Sequence, residues 1–313
     1  MTPSSKPWWS KETVAVVTGA NKGIGYEIVR QLAEKGVTVV LTARDHSRGQ
    51  AAVDALKAQG LESIWFHQLD VTSPESVQTL ATWLKRTFGG TDILVNNAGV
   101  NCGPTGNALN YENAKVIVET NYYGVKNVTE GLLPLLRASP AGARIVNVGA
   151  RMGLYDRLRS QNLKNVFKDE DKYTKELIDT LATKYLQDVK MGQTDEEGWI
   201  ASNPVVAPMY SESKIFMNVY AIAVSQSLSR SQPEQHQILA SSFCPGITQT
   251  DMLDSSFKQG FEVPKGYPMK NVADGADTGV WLALLPREEL VPKNGKLFAE
   301  RQEYLFGWEN PPF

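Results

Sequence analysis

The chain has 313 residues, of which 42% are hydrophobic and 21% are charged, and its formal net charge is −2. That length suffices for a well-buried core, and the lack of a basic excess argues against nucleic acid as a partner. The two cysteines, Cys102 and Cys244, are too few for a disulfide framework. No apolar run approaches the roughly 18 residues of a membrane span, so we expect a cytoplasmic protein that does not enter a membrane.

After a polar leader over 1–12, short apolar runs alternate with amphipathic ones. The predicted strands are 14–18, 37–42, 63–69, 92–95, 144–148 and 237–243. The predicted helices are 25–35, 47–59, 74–88, 111–137 and 208–229. Strands that alternate with helices predict a parallel sheet. We therefore expect one α/β domain over 1–313, a Rossmann-type doubly wound parallel sheet with helices on both faces.

The segment 149–207 interrupts this alternation. It is rich in charge, and its apolar residues recur at helical spacing, as in Leu177, Leu181, Tyr185 and Val189. Both ends of the segment attach at the mouth of the predicted functional site. We therefore expect a lid-like helical insertion over 151–207, packed beside the mouth of the functional site.

A glycine-rich turn, Thr18-Gly19-Ala20-Asn21-Lys22-Gly23-Ile24-Gly25, follows the first strand and opens the first helix. In that context backbone N–H groups receive a dinucleotide pyrophosphate. The residues predicted to bind the cofactor here are Gly19, Asn21, Lys22, Gly23, Ile24 and Gly25. The second strand ends at Arg44, where a carboxylate would bind the ribose hydroxyls of NAD. Arg44 and Lys22 together suit a 2′-phosphate and favour NADP(H).

Two later turns complete the predicted cofactor site. Asp70 and Val71 follow the third strand, where they are placed to meet an adenine ring. Asn97, Ala98 and Gly99 end the fourth strand, at the switch point where a dinucleotide crosses the edge of the sheet.

Tyr210 and Lys214 lie four residues apart in Tyr-Ser-Glu-Ser-Lys. Residues at i and i+4 of a helix share one face, so the phenol and the ammonium should point into the same pocket. A neighbouring positive charge makes a phenol easier to deprotonate. The pair therefore predicts a proton donor and acceptor that works near neutral pH.

These motifs, in this order, resemble those of the short-chain dehydrogenases/reductases, and the resemblance extends from Thr13 to about Arg301. It includes two further motifs, Asn121 within Thr-Asn-Tyr-Tyr-Gly, and Cys244-Pro245-Gly246 followed by Thr248 and Thr250. Glu-Gly-Trp at 197–199 and Thr-Gly-Val-Trp at 278–281 are similar to the monomeric carbonyl reductases, notably the salutaridine and menthone/neomenthol reductases of plants.

The resemblance implies a role for each motif. Lys214 would bind the nicotinamide ribose, and Tyr210 would protonate a carbonyl oxygen as hydride arrives. Asn121 would hold a water that relays protons from solvent. The nicotinamide and pyrophosphate end of the cofactor would be bound by Pro245, Gly246, Ile247, Thr248 and Thr250. Because the insertion would cover part of the surface through which relatives associate, we expect a monomer.

Ala150 departs from the family pattern, since relatives carry a serine at this position. That hydroxyl donates to the substrate carbonyl, and losing one such donor costs on the order of 10²–10³ in rate. Three explanations are open: a deliberately inactivated variant, a natural enzyme that uses another donor, or a chain that has left carbonyl reduction for another role.

The pocket should be walled by apolar residues that suit a hydrophobic ketone or aldehyde, such as a terpenoid or alkaloid. The predicted wall residues are Met152, Tyr155, Trp199 and Met209, together with the segment 252–267. The histidines His46, His67 and His236 are scattered, so we expect no metal site. The sequence thus predicts an NADPH-dependent carbonyl reductase. Two alternatives stay open: a double-bond reductase or isomerase acting on enones, and an NADP-binding protein whose catalysis has lapsed.

Overall fold

The structure is a computed structural model that describes residues 7–137, 142–201, 208–231, 233, 238–258, 260, 262–263 and 266–304. Within these residues a single sheet contains the strands β1 Val14–Val17, β2 Thr38–Ala43, β3 Ile64–Gln68, β4 Ile93–Asn96, β5 Arg144–Val148, β6 Leu239–Cys244, β7 Leu297–Ala299 and β8 Gln302–Tyr304. Their order is β3-β2-β1-β4-β5-β6-β7-β8. All neighbouring strands pair in parallel except β7 and β8, which are antiparallel. The predicted α/β fold class is confirmed.

The helices in the described part of the chain connect these strands. They are α1 Gly23–Glu34, α2 His46–Lys57, α3 Pro74–Phe88, α4 Tyr111–Val118, α5 Gly124–Leu132, α6 Gln161–Lys168, α7 Lys175–Met191, α8 Thr194–Glu197, α9 Pro208–Ser231, α10 Asp251–Lys258, α11 Val272–Leu284 and α12 Arg287–Leu290. None of these helices has the length and apolar character needed to cross a membrane.

Alternate residues of the central strands point to opposite faces of the sheet, as the period of a strand requires. Val17 and Val95 belong to an apolar cluster that includes residues of α1, α2 and α11. Val16 and Leu94 belong to a second cluster, built with α3, α4, α5, α7 and α9. Helices therefore cover both faces, and the carboxyl ends of β1, β4, β5 and β6 lie along one edge between the two layers.

The prediction of one continuous helix over 111–137 is wrong, because the segment is divided into shorter helical pieces. Helix α4 ends at Val118, the segment Glu119–Tyr123 is π-helical, and a 3₁₀ turn follows α5 at Leu133–Leu135. The 3₁₀ turn contains Pro134, which has no N–H to continue an α-helix. The π-helical turn carries Asn121, and such turns occur frequently at functional sites.

The insertion contributes α6, α7 and α8, and its residues 202–207 lie outside the described part of the chain. Helix α7 packs on the outer side of α4 and α9. Polar contacts fix it there: Asp179 accepts from the Tyr122 hydroxyl at 2.7 Å and pairs with Lys126, and Lys175 pairs with Glu130 at 2.7 Å. Helix α9 is therefore buried on nearly all sides, between the sheet and the insertion.

Candidate active site

The glycine turn after β1 is interlocked with the turn after β4. The Asn97 side chain donates to the carbonyls of Thr18 and Gly19 at 2.8 and 3.0 Å. The Thr18 hydroxyl accepts from the backbone N–H groups of Asn97 and Ala98 at 2.9 and 3.0 Å. A Cβ atom on Gly19 would lie 2.8 Å from the Ala98 Cα, and Gly19 has φ of +60°. The close approach of the two turns therefore requires glycine there.

This turn fits a dinucleotide phosphate. Gly23, with φ of +63°, is the first residue of α1, and no carboxylate lies in the first turn of that helix. The glycines at 19, 23 and 25 carry no side chains, so backbone N–H groups at the start of α1 can face an anion. Asn21, Ile24 and Gly25 share this turn, and their predicted contacts with the cofactor stay predictions.

The cations predicted to select a 2′-phosphate lie at the same edge. Arg44 follows β2 and is exposed, whereas the carboxylate of Asp45 is already used: it caps α2 by accepting from Arg48 N at 2.9 Å. Lys22 forms an ion pair with Asp251, the first residue of α10, at 2.6 Å. Both side chains of this pair are largely exposed, at 59% and 70%. Lys22 therefore has a partner at the site that sequence reasoning did not identify.

The predicted adenine site follows β3. Asp70 accepts from the backbone N–H and the hydroxyl of Thr72, at 3.0 and 2.7 Å, and so holds its own turn. Val71 is 8% exposed and packs so closely on Gly124 that a Cβ there would lie 2.6 Å from its Cγ2. Contact of Asp70 and Val71 with adenine stays a prediction.

Tyr210 and Lys214 lie close together on α9. The Lys214 ammonium donates to the Val148 carbonyl at 2.8 Å and lies 5.6 Å from the centre of the Tyr210 ring. Burial lowers the pKa of Lys214 to about 8, and the nearby Cys244 acts in the opposite direction. Burial, together with Cys244, raises the pKa of Tyr210 above its ordinary value. The predicted lowering of the Tyr210 pKa does not appear in this structure, where loss of solvation is the largest cause and Lys214 is not among the causes.

Asn121 joins the turn after β4 to α9. It is fully buried, and its amide group donates to the Val100 carbonyl at 2.8 Å and to the Ser213 hydroxyl at 2.9 Å. Its Oδ1 accepts from Val100 N, and Ser213 in turn donates to the Tyr210 carbonyl at 2.7 Å. Both amide hydrogens are used within the protein, so the predicted water relay at Asn121 stays a prediction. Gly99 packs against this side chain: a Cβ there would lie 3.2 Å from Asn121 Oδ1.

Ala150 lies at the end of β5, in a turn that is bonded to α9. The Asn218 side chain donates to the carbonyls of Ala150 and Gly153 at 3.1 and 3.0 Å. A Cβ on Gly149 would lie 2.6 Å from Asn218 Oδ1, so a serine at that position would displace the amide. Sequence reasoning missed Asn218, although it continues the four-residue spacing of Tyr210 and Lys214 and so lies on the same face of α9.

The segment after β6 faces the glycine turn. A Cβ on Gly23 would lie 3.5 Å from the Thr250 methyl group. The segment is ordered by its own bonds and by Lys270, whose N–H donates to the Ile247 carbonyl at 2.8 Å. Thr248 is buried and its hydroxyl donates to the Pro245 carbonyl at 3.2 Å, while Gly246 has φ of +75°. Thr250 thus lies close to the glycine turn, and contact of this segment with a cofactor stays a prediction.

The predicted pocket residues divide into two groups. Met152 and Tyr155 are partly exposed, as a pocket wall requires, whereas Trp199 and Met209 are 0% and 1% exposed. The Trp199 indole donates to Asp188 at 2.7 Å and packs on Tyr185, with ring centres 5.1 Å apart. Trp199 therefore has a structural role, and its contact with substrate stays a prediction.

The first part of the segment 252–267 forms α10, which lies over this edge. Asn101, in the turn after β4, donates to the Met252 carbonyl at 3.1 Å and to the Ser256 hydroxyl. The Arg151 guanidinium lies over the Tyr267 ring, 5.0 Å from its centre. Residues 259, 261, 264 and 265 lie outside the described part. Among the described residues, no three His, Cys, Asp or Glu side chains are grouped to hold a metal ion.

Comparison with known proteins is consistent across sequence and structure. A family model described as short chain dehydrogenase matches residues 13–161. The chain is 37% identical to (+)-neomenthol dehydrogenase of Arabidopsis thaliana, an alignment that covers 92% of this chain and 96% of that protein. It is 39% identical to carbonyl reductase (NADPH) 1 of Mus musculus, which covers 88% of this chain and 92% of that protein. The solved salutaridine reductase from Papaver somniferum superposes with a TM-score of 0.77 at 32% identity, covering 91% of this chain and 99% of that one.

Proposed function

The chain belongs to the short-chain dehydrogenase/reductase family, and we propose that it reduces the carbonyl group of a hydrophobic small molecule with NADPH. The observation that carries the proposal is the placement of the Lys214 ammonium, 2.8 Å from the Val148 carbonyl and 5.6 Å from the Tyr210 ring. This pair shares the edge of the sheet with the glycine turn. Relatives named for neomenthol and for NADPH-dependent carbonyl reduction support the substrate class and the cofactor.

The chain's own residues supply the proton. The nicotinamide, when bound, supplies the hydride. Tyr210 donates a proton to the carbonyl oxygen, and its raised pKa keeps the phenol protonated at neutral pH, as an acid requires. Lys214, with a pKa of about 8, is charged at pH 7, and its bond to Val148 aims the ammonium at the edge of the site. Asn121 holds the first turns of α9 through Ser213.

The proposal extends to assembly and substrate. Helix α7 covers the outer side of α4 and α9, which supports a monomer, since that side is where relatives would associate. Met152 and Tyr155 offer apolar surface to a hydrophobic ketone. Ala150 supplies no hydroxyl, so the oxyanion depends on Tyr210 and turnover is slower than with a serine. We place the enzyme in the cytoplasm.

The direct test is NADPH consumption with a panel of hydrophobic ketones and aldehydes, followed by product analysis. Tyr210→Phe should abolish turnover but keep NADPH affinity, because only the transferable proton is removed. Tyr220→Phe, on the same helix, is the matched control and should turn over like the wild type. A fully active Tyr210→Phe enzyme would remove the phenol from the mechanism.

Product analysis also separates the alternatives. An alcohol supports carbonyl reduction, whereas loss of an alkene with the carbonyl retained supports a double-bond reductase. NADPH binding without consumption, in both the wild type and Ala150→Ser, would support a binding protein instead.

A further inference from the structure

Glu212 is a buried carboxyl group inside the Tyr210–Lys214 motif for which the proposed chemistry has no use. It is 0% exposed, and its side chain reaches the insertion. Its Oε1 accepts a hydrogen bond from the backbone N–H of Ile200 at 2.7 Å. Ile200 lies at the end of the insertion, twelve residues before Glu212 in the chain. The bond therefore joins the insertion directly to the catalytic helix.

The residue next to Ile200 is held just as firmly. Trp199 lies between α7 and α9: its indole ring contacts the rings of Tyr185 and Phe216, with centres 5.1 and 6.3 Å away. Its Nε1 donates to Asp188 on α7 at 2.7 Å. Phe216 is four residues after Glu212 and so lies on the same face of α9. The end of the insertion is thus seated on α9 by one aromatic contact and one hydrogen bond.

This attachment lies in the first turns of α9. Helix α9 begins at Pro208, so Tyr210 belongs to its first turn. The N–H groups of a first turn have no partners within the helix, and helix ends open most readily. Glu212 is the nearest residue after Tyr210 whose side chain is bonded to another part of the fold.

The burial of Glu212 is costly, which suggests that its position matters. Its Oε2 and the Tyr185 hydroxyl are both buried without a hydrogen-bond partner among the described residues. Burial raises the pKa of Glu212 to about 8, and the Ile200 N–H acts in the opposite direction. An apolar side chain would avoid this cost. The acceptor for Ile200 is the described contact that a glutamate provides here and an apolar side chain would not.

We propose that Glu212 is a positioning residue, which fixes the end of the insertion to the first turns of α9 and thereby holds the Tyr210 phenol in place for proton transfer. This inference rests on the proposed function. The residue touches neither substrate nor cofactor. Its effect on the rate comes from the bond to Ile200, because a displacement of about 1 Å at a reacting group can cost 10²-fold.

The test compares three variants with a matched control. Glu212→Gln keeps an acceptor for Ile200 and should retain kcat within about twofold. Glu212→Met fills the space without an acceptor and should lower kcat by about 10- to 100-fold, with the Kd for NADPH unchanged. Glu212→Asp, which withdraws the carboxylate from Ile200, should fall between them. Ser211→Ala removes a buried hydroxyl that has no partner and should behave as the wild type.

Amide hydrogen exchange gives a readout that does not depend on turnover. In Glu212→Met, but not in Ser211→Ala, exchange should accelerate at Ile200 and in the first turn of α9. The inference would be overturned if Glu212→Met kept both the kcat and the exchange rates of the wild type. It would also be overturned if the loss of kcat came with an equal loss of NADPH affinity, because that pattern indicates general damage. A wild-type protein that consumes no NADPH with any ketone overturns the proposed function instead, and the exchange measurement still decides the role of Glu212.

Discussion

Replacing Asp251 by asparagine should tighten the binding of NADPH and leave the binding of NADH unchanged. Lys22, whose ammonium we propose to bind the 2′-phosphate, is paired with the Asp251 carboxylate at 2.6 Å. On this proposal the 2′-phosphate and Asp251 compete for one cation. NADH has no phosphate at that position, so it draws no benefit when Lys22 is released.

The size of the effect follows from the exposure of the pair. The side chains are 59% and 70% exposed, so water and salt screen their attraction. Exposed ion pairs of this kind contribute about 0.2–1 kcal/mol. Removing the competitor should thus lower the Kd for NADPH by a factor of about 1.4 to 5, and the gain should shrink as salt is raised.

The assay is a fluorescence titration of each variant with NADPH and with NADH at low and high salt. Asp254→Asn, on the same exposed helix, removes an equal charge that has no ion pair with Lys22 and serves as the control. In a Lys22→Met background the effect of Asp251→Asn should vanish. An equal gain for both cofactors, or a gain that persists without Lys22, would refute the competition.

Two further substitutions test the site and the buried carboxyl. Ala150→Ser should raise kcat by roughly 10²-fold, because the serine hydroxyl can donate a hydrogen bond to the developing oxyanion. The rate of NADPH consumption with the best ketone measures this change, and an unchanged rate would contradict the argument. The stability of Glu212→Gln relative to the wild type should increase as pH rises from about 4.5 to about 8. Thermal unfolding of both proteins across this pH range measures the difference. In that window the unfolded chain loses the Glu212 proton while the folded chain keeps it, so the wild type loses stability with rising pH. Parallel curves for the two proteins would show that Glu212 ionises freely in the folded state.

Local signals explain why much of the fold could be predicted from sequence. Helix α3 was predicted at its observed bounds because Ser73 caps it, Pro74 opens it and Gly89 ends it in the left-handed region. Strand β5 was likewise predicted residue for residue. The three-residue strands β7 and β8 were missed, because so short a run shows no alternation.

What could not be predicted depends on contacts between distant segments. The π-helical turn at Glu119–Tyr123 carries Asn121, which is bonded to Val100, a partner that helical periodicity cannot reveal. The pairing of Lys22 with Asp251 spans 229 positions. Trp199 is an aromatic residue of the kind that lines pockets, but it is enclosed by the rings of Tyr185 on α7 and Phe216 on α9. Asn218 could have been predicted from the spacing that identified Lys214.

The two departures from expectation, at Ala150 and at Tyr210, bear on the same step. A phenol whose pKa is raised by burial is a weak acid, so it transfers its proton only when the carbonyl oxygen is close and aligned. The resemblance implies that a serine also holds that oxygen in relatives, and this chain has the methyl group of Ala150 at that position. A single donor must then both orient the carbonyl and protonate it. On this proposal the rate depends on how firmly the first turns of α9 are held, and two bonds hold them: Asn121 donates to Ser213, and Ile200 donates to Glu212.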